Sequence, residues 1–157
     1  VLDGELLVTP APGTRHQRIA LRLVVILHEY IEANGLGELF YELDLLFAPG
    51  QYLRPDLLFV PAAASDGITE RGVECTPGLV VEVLSPQSGS FDLVKKPRRY
   101  ADFGVPEYWV ADPWQNMILR FDLQRGLTDP SEHRDRLEWR PSPEADPLVL
   151  EVQRIFR

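Results

Sequence analysis

The spacing of apolar and polar positions divides the chain into elements. Ile19, Leu23, Ile26, Leu27, Tyr30 and Ile31 recur at helical intervals, which predicts an amphipathic helix over 14–34. Thr14 is placed to cap that helix and Asn34-Gly35 to stop it. Arg15, Arg18, Arg22 and Glu29 fall on its other arc. Before it, 3–8 reads as a short strand that Pro10 and Pro12 interrupt. After it, 38–47 and 52–60 read as two strands joined at Pro49-Gly50, a β-hairpin. Residues 61–78 have loop composition. The Val-rich run 79–84 predicts a strand covered on both faces. A turn at 85–90 leads to a helix over 91–103, ended by Gly104. Strands are expected at 106–111 and 117–123, around a turn rich in Asp, Pro and Asn. The polar, Pro-rich stretch 125–147 reads as mostly loop, and 148–152 as a last strand. This order predicts one α/β (α+β) domain over 1–157, a mixed β-sheet flanked by helices.

Composition narrows the function classes. The chain has 157 residues, 45% of them apolar, enough for a core, and a net charge of −8. That acidity argues against broad coating of nucleic acid, yet leaves room for a local basic groove beside an acidic metal site. No uncharged apolar run approaches the ~18 residues of a membrane span, and the opening VLDGELLV does not resemble a signal peptide. A cytoplasmic protein without a membrane partner is therefore expected. Cys75 is the only cysteine, which excludes an intramolecular disulfide and a Cys-rich zinc site. His16, His28 and His133 are too scattered for a His metal cage.

Three acids and one basic cluster carry the candidate chemistry. Glu82 interrupts Leu79-Val80-Val81-Glu82-Val83-Leu84. In a central strand it must be paired, protonated or metal-bound; on an edge strand it would simply face solvent. Asp56 enters the apolar run 57–60 directly after Pro55, either as a functional acid or as a strand-start residue. Asp44 would face Asp56 across the hairpin if Pro49-Gly50-Gln51 forms a three-residue loop. A cation between them would relieve their repulsion; otherwise Asp44 is an exposed acid. Lys95, Lys96, Arg98 and Arg99 lie on the helix that follows Glu82's strand. One of them can return over the strand end, while the others read as a solvated face. Pro97 removes a backbone donor, so that helix should start late or bend. Carboxylates on adjacent strands with a nearby Lys suit Mg²⁺-assisted phosphodiester hydrolysis. No phosphate loop, dinucleotide fingerprint or nucleophile elbow competes with that reading.

At these residues the chain resembles the Uma-two family of restriction endonucleases, within the PD-(D/E)XK nuclease superfamily. The matching stretches are Asp3-Gly4-Glu5-Leu6, His16-Gln17, Pro55-Asp56-Leu57-Leu58-Phe59-Val60, Val81-Glu82-Val83-Leu84-Ser85-Pro86, Asp92 with Lys96 and Tyr100, and Gly104-Val105-Pro106-Glu107-Tyr108-Trp109. Arg154-Ile155-Phe156 fits the family's ending. Together they span nearly the whole chain in order. The resemblance implies a restriction-endonuclease-like core with its site at a splayed edge of the sheet. It implies Asp56 as the motif Asp and Glu82 as the motif acid. The superfamily's usual Lys position, two residues after that acid, holds Leu84 here; the resemblance supplies the Lys from the following helix, as Lys96. Asp44 matches a position that is often acidic in the family.

The function expected is a metal-dependent DNA endonuclease. Asp56, Glu82 and Lys96 would be catalytic, and Asp56, Glu82 and Asp44 would hold Mg²⁺, with Mn²⁺ as a substitute. His16 reads as a hydrogen-bonded core histidine or as a residue touching phosphate at the site's edge. Arg15, Arg18 and Arg22 offer phosphate contacts or a solvated face. Tyr100 and Tyr108-Trp109 offer base stacking or core packing. A homodimer would serve cutting of both strands. The alternatives are a catalytically inactive, nuclease-derived module that binds nucleic acid or protein, and a hydrolase of small phosphate esters.

Overall fold

The apolar stripe on the first helix is the seam of the molecule. In the computed structural model, which describes residues 12–126 and 129–157, α1 (Thr14–Ala33) buries Ile19, Ala20, Leu23, Leu27 and Ile31. Its N-cap is Gly13 rather than Thr14, which is already helical, and no side chain caps it. Asn34 closes the other end, donating from Nδ2 to the Tyr30 carbonyl at 2.8 Å. Gly35 takes a positive φ of 59° there, which glycine adopts without a Cβ penalty. The strand expected over 3–8 and the Asp3-Gly4-Glu5-Leu6 stretch lie outside the described residues.

α1 packs on a six-stranded mixed sheet built from β1 (Gly37–Tyr41), β4 (Leu57–Pro61), β7 (Leu79–Val83), β8 (Glu107–Asp112), β9 (Met117–Asp122) and β10 (Ser131–His133), in that spatial order. Only the β7–β8 pair is parallel; the other pairs are antiparallel. The Val-rich run is the central β7, and all five of its residues are buried. Its alternation divides the core. Leu79, Val81 and Val83 join the α1 side with Leu57, Phe59 and Trp109. Val80 faces the other layer with Leu58, Val60, Tyr108 and Tyr100. That layer is closed by α2 (Lys96–Asp102) and by a small sheet of β2 (Leu45–Ala48), β3 (Gln51–Leu53), β5 (Ile68–Thr69) and β6 (Gly72–Val73).

The stretch 125–147, expected to be mostly loop, contributes β10 and β11 (Arg136–Trp139), and β11 pairs with β12 (Leu148–Glu151). The signal was the alternation of Leu137 and Trp139, both buried, with exposed Arg136 and Glu138. α3 (Val152–Phe156) ends the chain against α1. No helix among the described residues is long and apolar enough to cross a membrane.

The hairpin differs from the expected one, and the difference relocates an acid. Its two arms each belong to two sheets, because the chain bends at 42–44, where Glu42 adopts φ 49°. The turn is the two-residue Pro49-Gly50, with Ala48 opposite Gln51 and a bulge between Leu46 and Ala48. Leu45 pairs with Leu53, so Asp44 stands across from Arg54 and not from Asp56. The Asp44 carboxylate accepts from Arg54 Nε at 2.7 Å and from Nη2 at 3.2 Å. The expected pair of facing acids, Asp44 and Asp56, does not form.

Candidate active site

The ladder between β4 and β7 sets the site. Its last backbone pair is Leu57 with Val81. Continuing that register by one residue puts Asp56 directly across from Glu82, on the face that carries Leu58 and Val80. Residues opposed in this way bring their side chains close. Here the strands stop pairing and a side chain takes over: the Val83 N–H donates to Asp56 Oδ2 at 2.7 Å. Pro55, which has no N–H, marks where β4 begins. The Asp56 carbonyl accepts from the Glu42 N–H at 2.9 Å, fixing the backbone on its other side.

His16, in the first turn of α1, reaches the same carboxylate, with Nε2 at 3.1 Å from Asp56 Oδ2. Its Nδ1 is buried and has no hydrogen-bond partner among the described residues. Burial disfavours the imidazolium, but the hydrogen bond to Asp56 and the charges of Asp56 and Glu82 outweigh it, so His16 titrates above its ordinary 6.5. The core and site-edge readings of His16 therefore meet in one residue.

Glu82 is 5% exposed, which removes the edge-strand reading. Its partner comes from the helix that follows. A π-helical turn, Phe91–Lys95, leads into α2, and the first residue of α2 is Lys96. Such turns inside helices frequently mark functional sites. Pro97 falls in the first turn of α2, where a missing N–H is tolerated. Lys96 Nζ lies 2.6 Å from Glu82 Oε1 and 2.7 Å from Asp92 Oδ1. Asp92 is 2% exposed. Two buried acids thus share one ammonium, with Asp56 close by. Burial, only partly offset by Lys96 and reinforced by Asp56 and Asp92, pushes Glu82 up to about 8. Burial alone would lower Lys96, but Glu82 and Asp92 hold it above its ordinary range.

Below the acids lies a floor of phenols. Tyr100 is fully buried and donates to Glu82 Oε1 at 3.4 Å. Tyr108 donates to the Asp92 carbonyl at 3.0 Å. Burial raises both phenols well above 10. Of the two readings of Tyr100, base stacking and core packing, the structure gives core packing, and its candidate substrate contact is corrected: with no exposed surface the ring does not reach the cleft. Above the acids, Asp56, Glu82, Asp92, Lys96, His16 and Glu42 line an open cleft of about 400 Å³.

The remaining candidates lie outside it. Lys95 and Arg98 are exposed, and Arg99 rests on the Phe47 ring and bonds Gln51. Arg22 donates to the Ile155 carbonyl at 3.0 Å, at the end of α3. Arg15 donates to Asn116 Oδ1 at 3.0 Å, and Arg18 is exposed. Asp44 is held by Arg54 and does not line the cleft.

Comparison with known proteins places the chain in a family. A family model described as "Uma2: Putative restriction endonuclease" matches residues 1–153. The chain belongs to the Uma2 family. A solved structure with a similar fold is "a putative nuclease belonging to DUF820" from Anabaena variabilis. It superposes with a TM-score of 0.81 at 18% identity, over 99% of this chain and 87% of that one. No curated protein matches. In this Uma2 chain the lysine that meets Glu82 lies 14 residues after it. Sequence reasoning did not assign a role to Asp92. Its signal was the spacing to Lys96, four residues on, which places two charges together on a helical turn. Glu42 was also missed, because its place in the cleft depends on the bend at 42–44.

Proposed function

We propose that this Uma2 chain is a metal-dependent endonuclease that hydrolyses DNA phosphodiester bonds, with Asp56, Glu82 and Lys96 as its catalytic residues. The observation that carries the reading is the meeting of Asp56 and Glu82 across β4 and β7, with Lys96 Nζ 2.6 Å from Glu82. The donor set fits Mg²⁺, with Mn²⁺ as a substitute. Mg²⁺ prefers carboxylate oxygens, takes one or two from the protein, and keeps waters and substrate phosphates for the rest. Among the described residues no three His, Cys, Asp or Glu side chains form a cage; the pair we assign to the ion is Asp56 and Glu82. Asp44, tied to Arg54, is left out of it.

Asp56 and Glu82 would hold the ion, which when bound supplies Lewis acidity and an acidified water. The chain's own contributions are positional and electrostatic. His16 Nε2–H and the Val83 N–H both donate to Asp56 Oδ2, which fixes that carboxylate's orientation. Lys96, kept charged by Glu82 and Asp92, supplies a fixed positive charge for the phosphoryl group. Tyr100 and Tyr108 exclude water from beneath the acids, which strengthens each of these interactions.

A non-catalytic, nuclease-derived binding module is the second reading. The net charge of −8 and the engagement of Lys96 by two carboxylates favour it. Incubating supercoiled plasmid with the protein and Mg²⁺ or Mn²⁺ separates the two. Nicked or linear product from the wild type, absent with Asp56→Asn and Glu82→Gln of unchanged circular dichroism, supports the nuclease. Cleavage by both variants at the wild-type rate overturns the assignment of the site. Binding of DNA without turnover in either metal selects the module.

A further inference from the structure

The cleft is acidic, and a polyanion must find its cations elsewhere. Asp56, Glu82, Asp92 and Glu42 line it against Lys96, Arg54 and His16, and Lys96 and Arg54 are already paired. The same edge of the sheet offers another surface. β7 and β8 run parallel, so the end of β8 emerges beside the end of β7 that carries Glu82. The Leu84 N–H donates to the Ala111 carbonyl at 2.9 Å, which continues that alignment. The turn from β8 to β9, residues 113–116, therefore leaves the sheet one strand over from Glu82, about 5 Å away in the pairing direction and about 10 Å further along the strand, since Glu82 pairs with Val110.

This turn presents Trp114, 55% exposed, whereas Trp109 and Trp139 are almost wholly buried. It is also held from several sides. Asp112 Oδ1 accepts from the N–H groups of Trp114 and Gln115 at 2.8 and 3.0 Å. Arg15 donates to Asn116 Oδ1 at 3.0 Å, and Arg134 to the Gln115 carbonyl at 2.9 Å. Gln153 Nε2 donates to the Asn116 carbonyl at 3.3 Å. Apolar burial does not account for an indole that faces water. The bracing fixes its backbone in advance, which lowers the entropic cost of contact. Both arginines bond neutral acceptors of the turn; Glu132 stands 3.6 Å from Arg134 Nη2 in an exposed pair. Arg15 is the chain neighbour of His16, so the first turn of α1 joins this turn to Asp56.

We infer that the β8–β9 turn is a nucleotide platform: Trp114 stacks on a base of a polynucleotide bound across the cleft, while Arg15 and Arg134 contact its phosphates. An aromatic face with guanidinium neighbours is the chemistry that holds unpaired bases without sequence preference. The inference rests on the nucleic-acid reading above and assigns the part of the surface that grips the strand.

The test uses the whole chain, a fluorescein-labelled single-stranded 12-mer and its duplex, with Ca²⁺ in place of Mg²⁺. The expected result is saturable binding of the single strand that quenches indole fluorescence. Trp114→Ala should weaken it about 5- to 150-fold, the range for one stacked base, and Trp114→Phe should restore most of the affinity. Arg134→Ala should lower the salt slope of binding by about 1. Trp114 is exposed, so its two variants should keep the wild-type melting curve. Wild-type affinity in Trp114→Ala overturns the platform while the nuclease reading stands. Failure of the wild type to bind either oligonucleotide overturns both. Equal weakening in Trp114→Ala and Trp114→Phe overturns stacking.

Discussion

Lys96 Nζ reaches Glu82 Oε1 across 14 residues of sequence and 2.6 Å of space. The turn and π-helical segment between them bring the ammonium back over the strand it left. Both groups are nearly buried, so each is the other's main compensation for lost water. Removing Lys96 should therefore be felt as stability as well as activity. Lys96→Met leaves the buried Asp92 without its cation, beside a Glu82 that burial already favours protonated, and should lower the urea unfolding free energy by about 3–5 kcal/mol. Lys96→Met combined with Glu82→Gln should recover part of that loss. Equilibrium unfolding at pH 7 checks it; a loss under about 1 kcal/mol would show that the pair is not stabilising.

Asp56→Asn and Glu82→Gln should reduce plasmid cleavage by about 10²-fold or more, the scale of removing one preorganised charge-stabilising group. The amide oxygen introduced by Asp56→Asn can still accept from the Val83 N–H, so the fold should survive. Titration calorimetry with Mn²⁺ should show saturable binding in the wild type and its loss in Asp56→Asn. Asp44→Asn should leave Mn²⁺ affinity nearly unchanged, because the structure turns that acid to Arg54.

Asp92→Ala should cut the cleavage rate while leaving Mn²⁺ affinity close to wild type, since Asp92 holds the lysine. Asp92→Asn keeps an acceptor for Lys96 and should recover part of the rate. A parallel loss of Mn²⁺ binding in both variants would instead make Asp92 part of the metal set.

The pH dependence has a definite sign. Glu82 is raised in the folded protein from 4.5 to about 8. A raised acid favours the folded state below its unfolded value, and that advantage is lost as pH rises through the folded one. His16, also raised, works in the same direction from 6.5 upward. The metal-free protein should therefore melt at lower temperature as pH goes from about 5 to 8.5, and Glu82→Gln should flatten most of that decline. Mn²⁺ competes with the Glu82 proton, so its affinity should rise over the same interval. Scanning calorimetry in metal-free buffer, repeated with Mn²⁺, reads both slopes.

Most of this frame was legible because burial leaves a clear mark in a sequence. The run 79–84 could be read as a doubly covered strand because five apolar residues surround one acid, and that same contrast exposed Glu82. Asp56 was legible for a similar reason, as the acid at the entrance to an apolar strand. The partner of Asp44 was not, because hairpin register turns on one residue of loop length. The bulge near Leu46 and the two-residue turn exchanged Asp56 for Arg54. Asp92 escaped because a buried ion pair on a helical turn has the same spacing as an exposed one. Tyr100 could be placed on a helix, but its burial depends on a small sheet assembled partly from two-residue strands.

The carboxylate of Asp56 stands where the next backbone rung of the β4–β7 ladder would be. One side chain is therefore answerable to two selective demands, keeping two strands in register and keeping an acid at the cleft. A relative without the proposed catalysis would still lose a strand contact by losing it. Asparagine satisfies the first demand and not the second, so a natural asparagine at this position is the substitution that would mark a lineage retired from chemistry with its architecture intact.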